Sequence, residues 1–130
     1  VSGPRPAEAA PDETWLPGRA LVVGLARSGI AAAGALARRG VHVVATDRSP
    51  DVGTGRLADL GVELRLGTEE ELLLEGMELV VKSPGVPGES PLVAAARSRG
   101  VPIWSEVELG YRLLPAGSRL IGVTGTNGKT

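Results

Sequence analysis

Four short segments carry residues whose types and spacing suit chemistry on phosphates. The last is Gly125-Thr126-Asn127-Gly128-Lys129-Thr130, directly after the apolar run Leu120 to Val123. A strand, a glycine-rich loop, a lysine and a hydroxyl residue form a phosphate cradle. Loop amides hold the oxygens, Lys129 reaches the β- and γ-phosphates of a nucleotide, and the Thr130 hydroxyl binds Mg²⁺. The strict pattern Gly-x-x-x-x-Gly-Lys-[Ser/Thr] is broken once, because Val123 stands where its first glycine belongs, flanked by Gly122 and Gly125.

The first segment is Gly24-x-Ala26-x-x-Gly29, close to the dinucleotide fingerprint Gly-x-Gly-x-x-Gly. Gly24 permits a tight turn, and Gly29 permits close helix–strand packing. Amides near Arg27, Ser28 and Gly29 open a helix whose positive end attracts phosphate. Ala26 replaces the glycine that lets a pyrophosphate approach the backbone. A phosphate site and a merely tight turn both fit this loop. Asp47 follows about twenty residues on, the place of the acidic residue that accepts from ribose hydroxyls or a base N–H. Its alternative is a turn-forming or helix-capping residue. Arg48 beside it suits a phosphate or the face of a base. Ser83-Pro84-Gly85 reads either as a plain turn or as backbone that approaches a ligand closely, which Gly85 allows.

The elements that must position these segments alternate. Strands are expected at 19–24, 41–47, 79–82, 101–104 and 120–123, from short apolar runs bounded by glycine or polar residues, and at 62–66, where apolar and charged residues alternate. Helices are expected at 30–39 and 91–99, closed by Gly40 and Gly100, and at 106–114. Ser90 is the expected N-cap of the second, with Pro91 in its first position. Shorter helical pieces fall at 56–60 and 69–74. Strands and helices in this order imply an α/β fold: a Rossmann-like, doubly wound, mostly parallel sheet with helices on both faces. Ligands of such sheets bind beyond the C-terminal ends of the strands. Gly24 to Gly29, Asp47-Arg48 and Ser83-Pro84-Gly85 are all strand ends, so they are expected on one rim. His42 and Trp104 are read as structural residues, and Lys82 carries no assignment.

Composition narrows the partners. With no Phe, one Tyr and two Trp there is little to stack on bases, and a formal net charge of −1 offers no basic surface for nucleic acid. No apolar run reaches membrane-span length, so no membrane insertion is expected. Cysteine is absent, which excludes thiolate chemistry and fits a cytoplasmic location. Val1 to Pro17, rich in Pro and Ala, reads as a disordered lead-in.

Taken together, these segments resemble the Mur ligases. Thr124 to Thr130 is similar to that family's variant of the ATP loop. Val23 to Gly29, Ser83 to Pro87 and Val101 to Leu109 are similar to its D-glutamate-adding branch. The resemblance covers about residues 19–130. It implies a UDP-sugar-binding domain at 18–105 and, at 106–130, the start of a central ATPase domain, with the chain stopping at the ATP loop. A third domain for the amino acid would lie beyond. It further implies UDP binding by Arg27, Ser28, Asp47, Arg48 and Gly85, ATP binding by Gly125 to Thr130, a catalytic role for Lys129 and Mg²⁺ ligation by Thr130. The activity implied is ATP-dependent ligation of D-glutamate to UDP-N-acetylmuramoyl-L-alanine in peptidoglycan synthesis. There the alanyl carboxylate becomes an acyl phosphate that the D-glutamate amine then attacks. The 130 residues alone are expected to be inactive and to bind ATP and Mg²⁺ poorly. The alternative is an NAD-binding Rossmann domain of a dehydrogenase or regulatory protein, which Asp47 suits and Ala26 does not.

Overall fold

Four mainly apolar segments and one alternating segment, Glu63 to Leu66, form five strands, all parallel. They are β1 (Arg19–Val23), β2 (His42–Asp47), β3 (Glu63–Leu66), β4 (Leu79–Lys82) and β5 (Ile103–Ser105). The computed structural model describes residues 16–84, 86 and 90–113. The expectations for Val1 to Trp15, Gly85, the strand Leu120 to Val123 and the loop Gly125 to Thr130 lie outside the described residues. Two compact units divide the chain, Pro17–Glu106 and a second made of 1–16 with 107–130. The larger holds the whole sheet. Of the second, the described part is Leu16 and residues 107–113 of helix α3 (Glu106–Leu113), where Arg112 Nε donates to Glu108 at 2.9 Å, one turn back.

The sheet order is β3-β2-β1-β4-β5. The chain steps outward from β1 to β2 to β3, then returns past β1 to β4 and steps outward again to β5. With right-handed crossovers, that reversal places the connecting segments on opposite faces. Helix α1 (Arg27–Arg38) joins β1 to β2 and packs on the central strands, beside the short 3₁₀ turn Ala58–Leu60. Helix α2 (Pro91–Ser98) joins β4 to β5 and packs on the other 3₁₀ turn, Glu71–Leu74, and on β5. The two-residue period of a strand divides the core accordingly. Leu21, Val23, Val44 and Val80 join Leu74, Met77, Leu92 and Ala96 in one cluster. Their strand neighbours Ala20, Val22, Val43, Ala45 and Val81 are buried toward the opposite face, where α1 supplies Ala32, Ala33 and Leu36. A core without phenylalanine is built by small and branched side chains at close spacing.

The local signals act as expected at most ends. Gly40 and Gly100 stop α1 and α2 with φ of +88° and +77°. Ser90 Oγ accepts from Val93 N–H at 3.3 Å, with Pro91 in the first turn. The start of α1 differs. It begins at Arg27, three residues before the expected Ile30. Ser28 and Gly29 therefore belong to its first turn and not to the loop.

Candidate functional site

The reversal of strand order leaves a crevice at the C-terminal ends of β1 and β4, where open α/β sheets take their ligands. A cavity of about 220 Å³ opens there. Its walls come from three strand ends: Gly24 to Ala26 after β1, Thr46 to Arg48 at the end of β2, and Ser83 with Val86 after β4. Thr68 and Glu69, following β3, complete it. That volume is below the roughly 300–1,000 Å³ of sites that enclose a drug-sized ligand, so it has room for only part of such a ligand.

Glycine makes this approach of loops possible. Gly24 has φ of +95°, and a Cβ there would lie 2.7 Å from Ser83 Cβ and 2.8 Å from Val86 Cγ2. The loop after β4 thus rests directly on the Gly24 backbone. A Cβ on Gly29 would lie 2.0 Å from the Gly24 carbonyl oxygen. The fingerprint glycines hold helix, turn and neighbouring loop in contact, as the tight-turn reading requires. Ala26 is the N-cap of α1, with extended φ and ψ of −74° and −177°. No left-handed conformation is needed there, and alanine fits.

Asp47 ties two loops together. Its Oδ2 accepts from Leu25 N–H at 2.7 Å and its Oδ1 from Ser49 N–H at 2.9 Å. This is the turn-forming role weighed for Asp47, extended across the rim to the β1 loop. An ionised carboxylate has about four acceptor positions, so these two bonds leave capacity facing the cavity. Arg48 is held by Glu69, its Nε donating to the Glu69 carboxylate. The guanidinium is thereby anchored on the cavity wall. Arg27 and Ser28 stand exposed at the first turn of α1. The Ser28 hydroxyl donates to Glu106.

Three residues with no local signal complete the rim. Thr46, fully buried, shares its one Oγ1 proton between the carbonyls of Arg65 and Thr68, at 2.7 and 2.8 Å. It fixes the segment that carries Glu69. Lys82 Nζ donates to the Val86 carbonyl at 2.8 Å and lies 3.5 Å from that of Ser83. It braces the loop that rests on Gly24. Glu106, which follows β5 and opens α3, reaches back to Ser28. His42 is at the far end of β2, half-exposed, with Nε2 3.8 Å from Glu63. Trp104 is half-buried on β5. Among the described residues no group of three His, Asp or Glu side chains is placed to hold a metal ion. No described helix is long and apolar enough to cross a membrane.

Residues 18–105 match the family model described as Mur ligase MurD-like, N-terminal domain. The chain belongs to this family. Curated relatives agree. The UDP-N-acetylmuramoylalanine–D-glutamate ligase of Anaeromyxobacter dehalogenans is 50% identical over 115 residues, 86% of this chain and 25% of that protein. The enzyme of the same name from Rubrobacter xylanophilus is 49% identical over 113 residues, 86% of this chain and 26% of its own length. That of Bacillus subtilis is 38% identical over 115 residues, 85% of this chain and 25% of its own. The chain therefore spans about a quarter of the length of these MurD-like relatives. Among solved structures, UDP-N-acetylmuramate–alanine ligase from Thermotoga maritima superposes with a TM-score of 0.58 at 21% identity, over 72% of this chain and 22% of that one. Glutamyl-tRNA reductase from Methanopyrus kandleri does so with a TM-score of 0.52 at 21% identity, over 88% of this chain and 35% of that one. Both share the fold.

Proposed function

We propose that the MurD-like domain, residues 18–105, binds the uridine diphosphate end of UDP-N-acetylmuramoyl-L-alanine. It would act as the N-terminal part of an ATP-dependent ligase that adds D-glutamate in peptidoglycan synthesis. The observation that carries this reading is the meeting of three strand ends on one cavity at the switch point, in a chain of this family. In it, Arg27 and Ser28 hold the diphosphate at the start of α1, where the helix dipole and free amides favour an anion. Asp47 accepts from the uridine, and Arg48, held by Glu69, lies against it. Gly85 gives the ligand close access to the loop after Ser83.

The same proposal takes 106–130 as the opening of the ATPase domain. Gly125, Thr126, Asn127 and Gly128 would wrap the nucleotide phosphates, Lys129 would neutralise the charge developing on them, and Thr130 would bind Mg²⁺. ATP supplies the phosphoryl group that activates the alanyl carboxylate. D-glutamate would be held by the further length that the relatives possess. A cysteine-free chain acting on a nucleotide sugar suits the cytoplasm.

Titration of the chain with UDP, monitored by amide chemical shifts, tests the reading. Shifts at Arg27, Ser28, Asp47 and Arg48 are expected, with NAD producing none. A silent rim under saturating UDP, or a response to NAD instead, would refute it.

A further inference from the structure

We infer that Glu106 is an internal anion occupying the diphosphate position of the site, and that it is displaced when a ligand brings its own phosphates. The inference rests on the uridine diphosphate reading above. Glu106 is only 9% exposed. Its Oε1 accepts from Ser28 Oγ, while its Oε2 is buried and has no hydrogen-bond partner among the described residues. That Oε2 would lie 3.1 Å from a Cβ placed on Gly29. The carboxylate therefore lies against the first turn of α1.

That turn has no anion of its own. Its N-cap, Ala26, makes no side-chain cap, and no acidic residue stands within the turn. The first amides of a helix have no intrahelical partner, and the dipole is positive there. A carboxylate from 78 residues away in sequence supplies the missing negative charge. The topology explains its reach. β5 lies outside β4, and β4 lies beside β1. A side chain that follows β5 and touches the start of α1 thus reaches past β4 to the β1 side of the switch point, next to the loop Gly24 to Ala26 that lines the cavity.

The arrangement is suited to exchange. A buried carboxylate with one oxygen unbonded is only partly compensated for its lost hydration. A diphosphate at the same amides meets a like charge, and the Ser28 hydroxyl cannot serve both. On binding, Ser28 donates to a phosphate oxygen in place of Glu106. The carboxylate then turns outward, where water bonds both its oxygens. A neutral nucleoside, which fills only the cavity by Asp47 and Arg48, requires no exchange. Glu106 thus weakens binding of the charged ligand and leaves that of the uncharged one alone.

The test is calorimetric titration of the chain and of Glu106→Gln with UDP and with uridine. The variant is expected to bind UDP about tenfold more tightly, since a like-charge juxtaposition is removed. Uridine should bind both forms equally. UDP binding that is unchanged or weaker in the variant overturns the inference while uridine binding still upholds the site. A second measurement needs no substitution. In the unaltered chain carrying ¹³C-labelled glutamate, the Glu106 carboxyl resonance should move on addition of UDP and stay still with uridine. A resonance unmoved by saturating UDP also overturns it. If neither ligand binds either form, the uridine diphosphate reading itself falls, and the displaced anion with it.

Discussion

The two sides of the sheet are held by different means. At the switch-point rim, contacts join residues far apart in sequence and mostly involve backbone. The Gly24 backbone bears the loop after β4, Asp47 holds Leu25 N–H, and Thr46 bonds one carbonyl within β3 and one beyond it. At the outer edge, around β3, the contacts are ion pairs between exposed side chains, such as Arg65 with Glu63 at 2.6 Å and Arg56 with Asp59 at 3.8 Å. Water competes for those pairs, so each contributes little. The residues that hold the rim together, Gly24, Thr46 and Asp47, are also residues that line the cavity, while the edge is tolerant.

Substitutions should reveal that contrast in graded steps. Gly29→Ala should have the largest effect. Its methyl would collide with a backbone carbonyl that cannot move without unseating the turn, at a cost of about 3 kcal/mol. A thermal melt within a degree of the unaltered chain would show that the rim is not rigid. Thr46→Val comes next, because it removes the one buried donor that two carbonyls share, for about 2 kcal/mol. Urea unfolding measures it, and UDP affinity should fall alongside as Glu69 loses its support. Asp47→Asn should cost about 1 kcal/mol, as the amide oxygen keeps one of the two backbone bonds. Its effect on UDP binding should exceed its effect on stability. An unaltered UDP affinity would reduce Asp47 to a turn residue.

Glu63→Gln, at the edge, should change stability by no more than about 0.5 kcal/mol. The hydrogen bond from Arg65, with the nearby positive charges, holds the Glu63 carboxyl below its usual 4.5. A depressed folded value gives stability that is present above the unfolded value and lost as pH falls through the folded one. The unaltered chain should therefore lose this small increment below pH 4.5, and the variant should not. An edge effect as large as that of Thr46 would erase the contrast between the two sides.

Much of this rim could be read along the chain. Strand ends announce themselves where an apolar run meets glycine, aspartate or proline, so Gly24, Asp47 and Ser83 were legible and the cavity unites them. The helix opening near Arg27 to Gly29 was legible from the fingerprint spacing, but the Ala- and Leu-rich run set its start at Ile30, three residues late, because Ser28 and Gly29 carry no apolar periodicity. Thr46 and Glu106 were invisible for a related reason. A threonine in an apolar strand and a glutamate at the head of a helix have ordinary local explanations. Only pairing with Arg65, Thr68 and Ser28 gives them another, and no local pattern encodes a partner 78 residues away. Lys82 was ambiguous because a lysine closing a buried strand suits solvent as well as it suits carbonyls.

Lys82 has one more consequence, which lies in chemical labelling. The chain has fourteen Lys and Arg residues, and only Lys82 and Lys129 among them are lysines. Besides the α-amine at the N-terminus, amine-selective reagents will therefore modify almost nothing except the brace of the loop beside Gly24 and the lysine of the phosphate-type loop. With its ammonium committed to the Val86 carbonyl, Lys82 should acylate slowly while the loop is seated and quickly once it lifts. Mass spectrometry of a single peptide would then follow the opening of this rim in an unaltered chain.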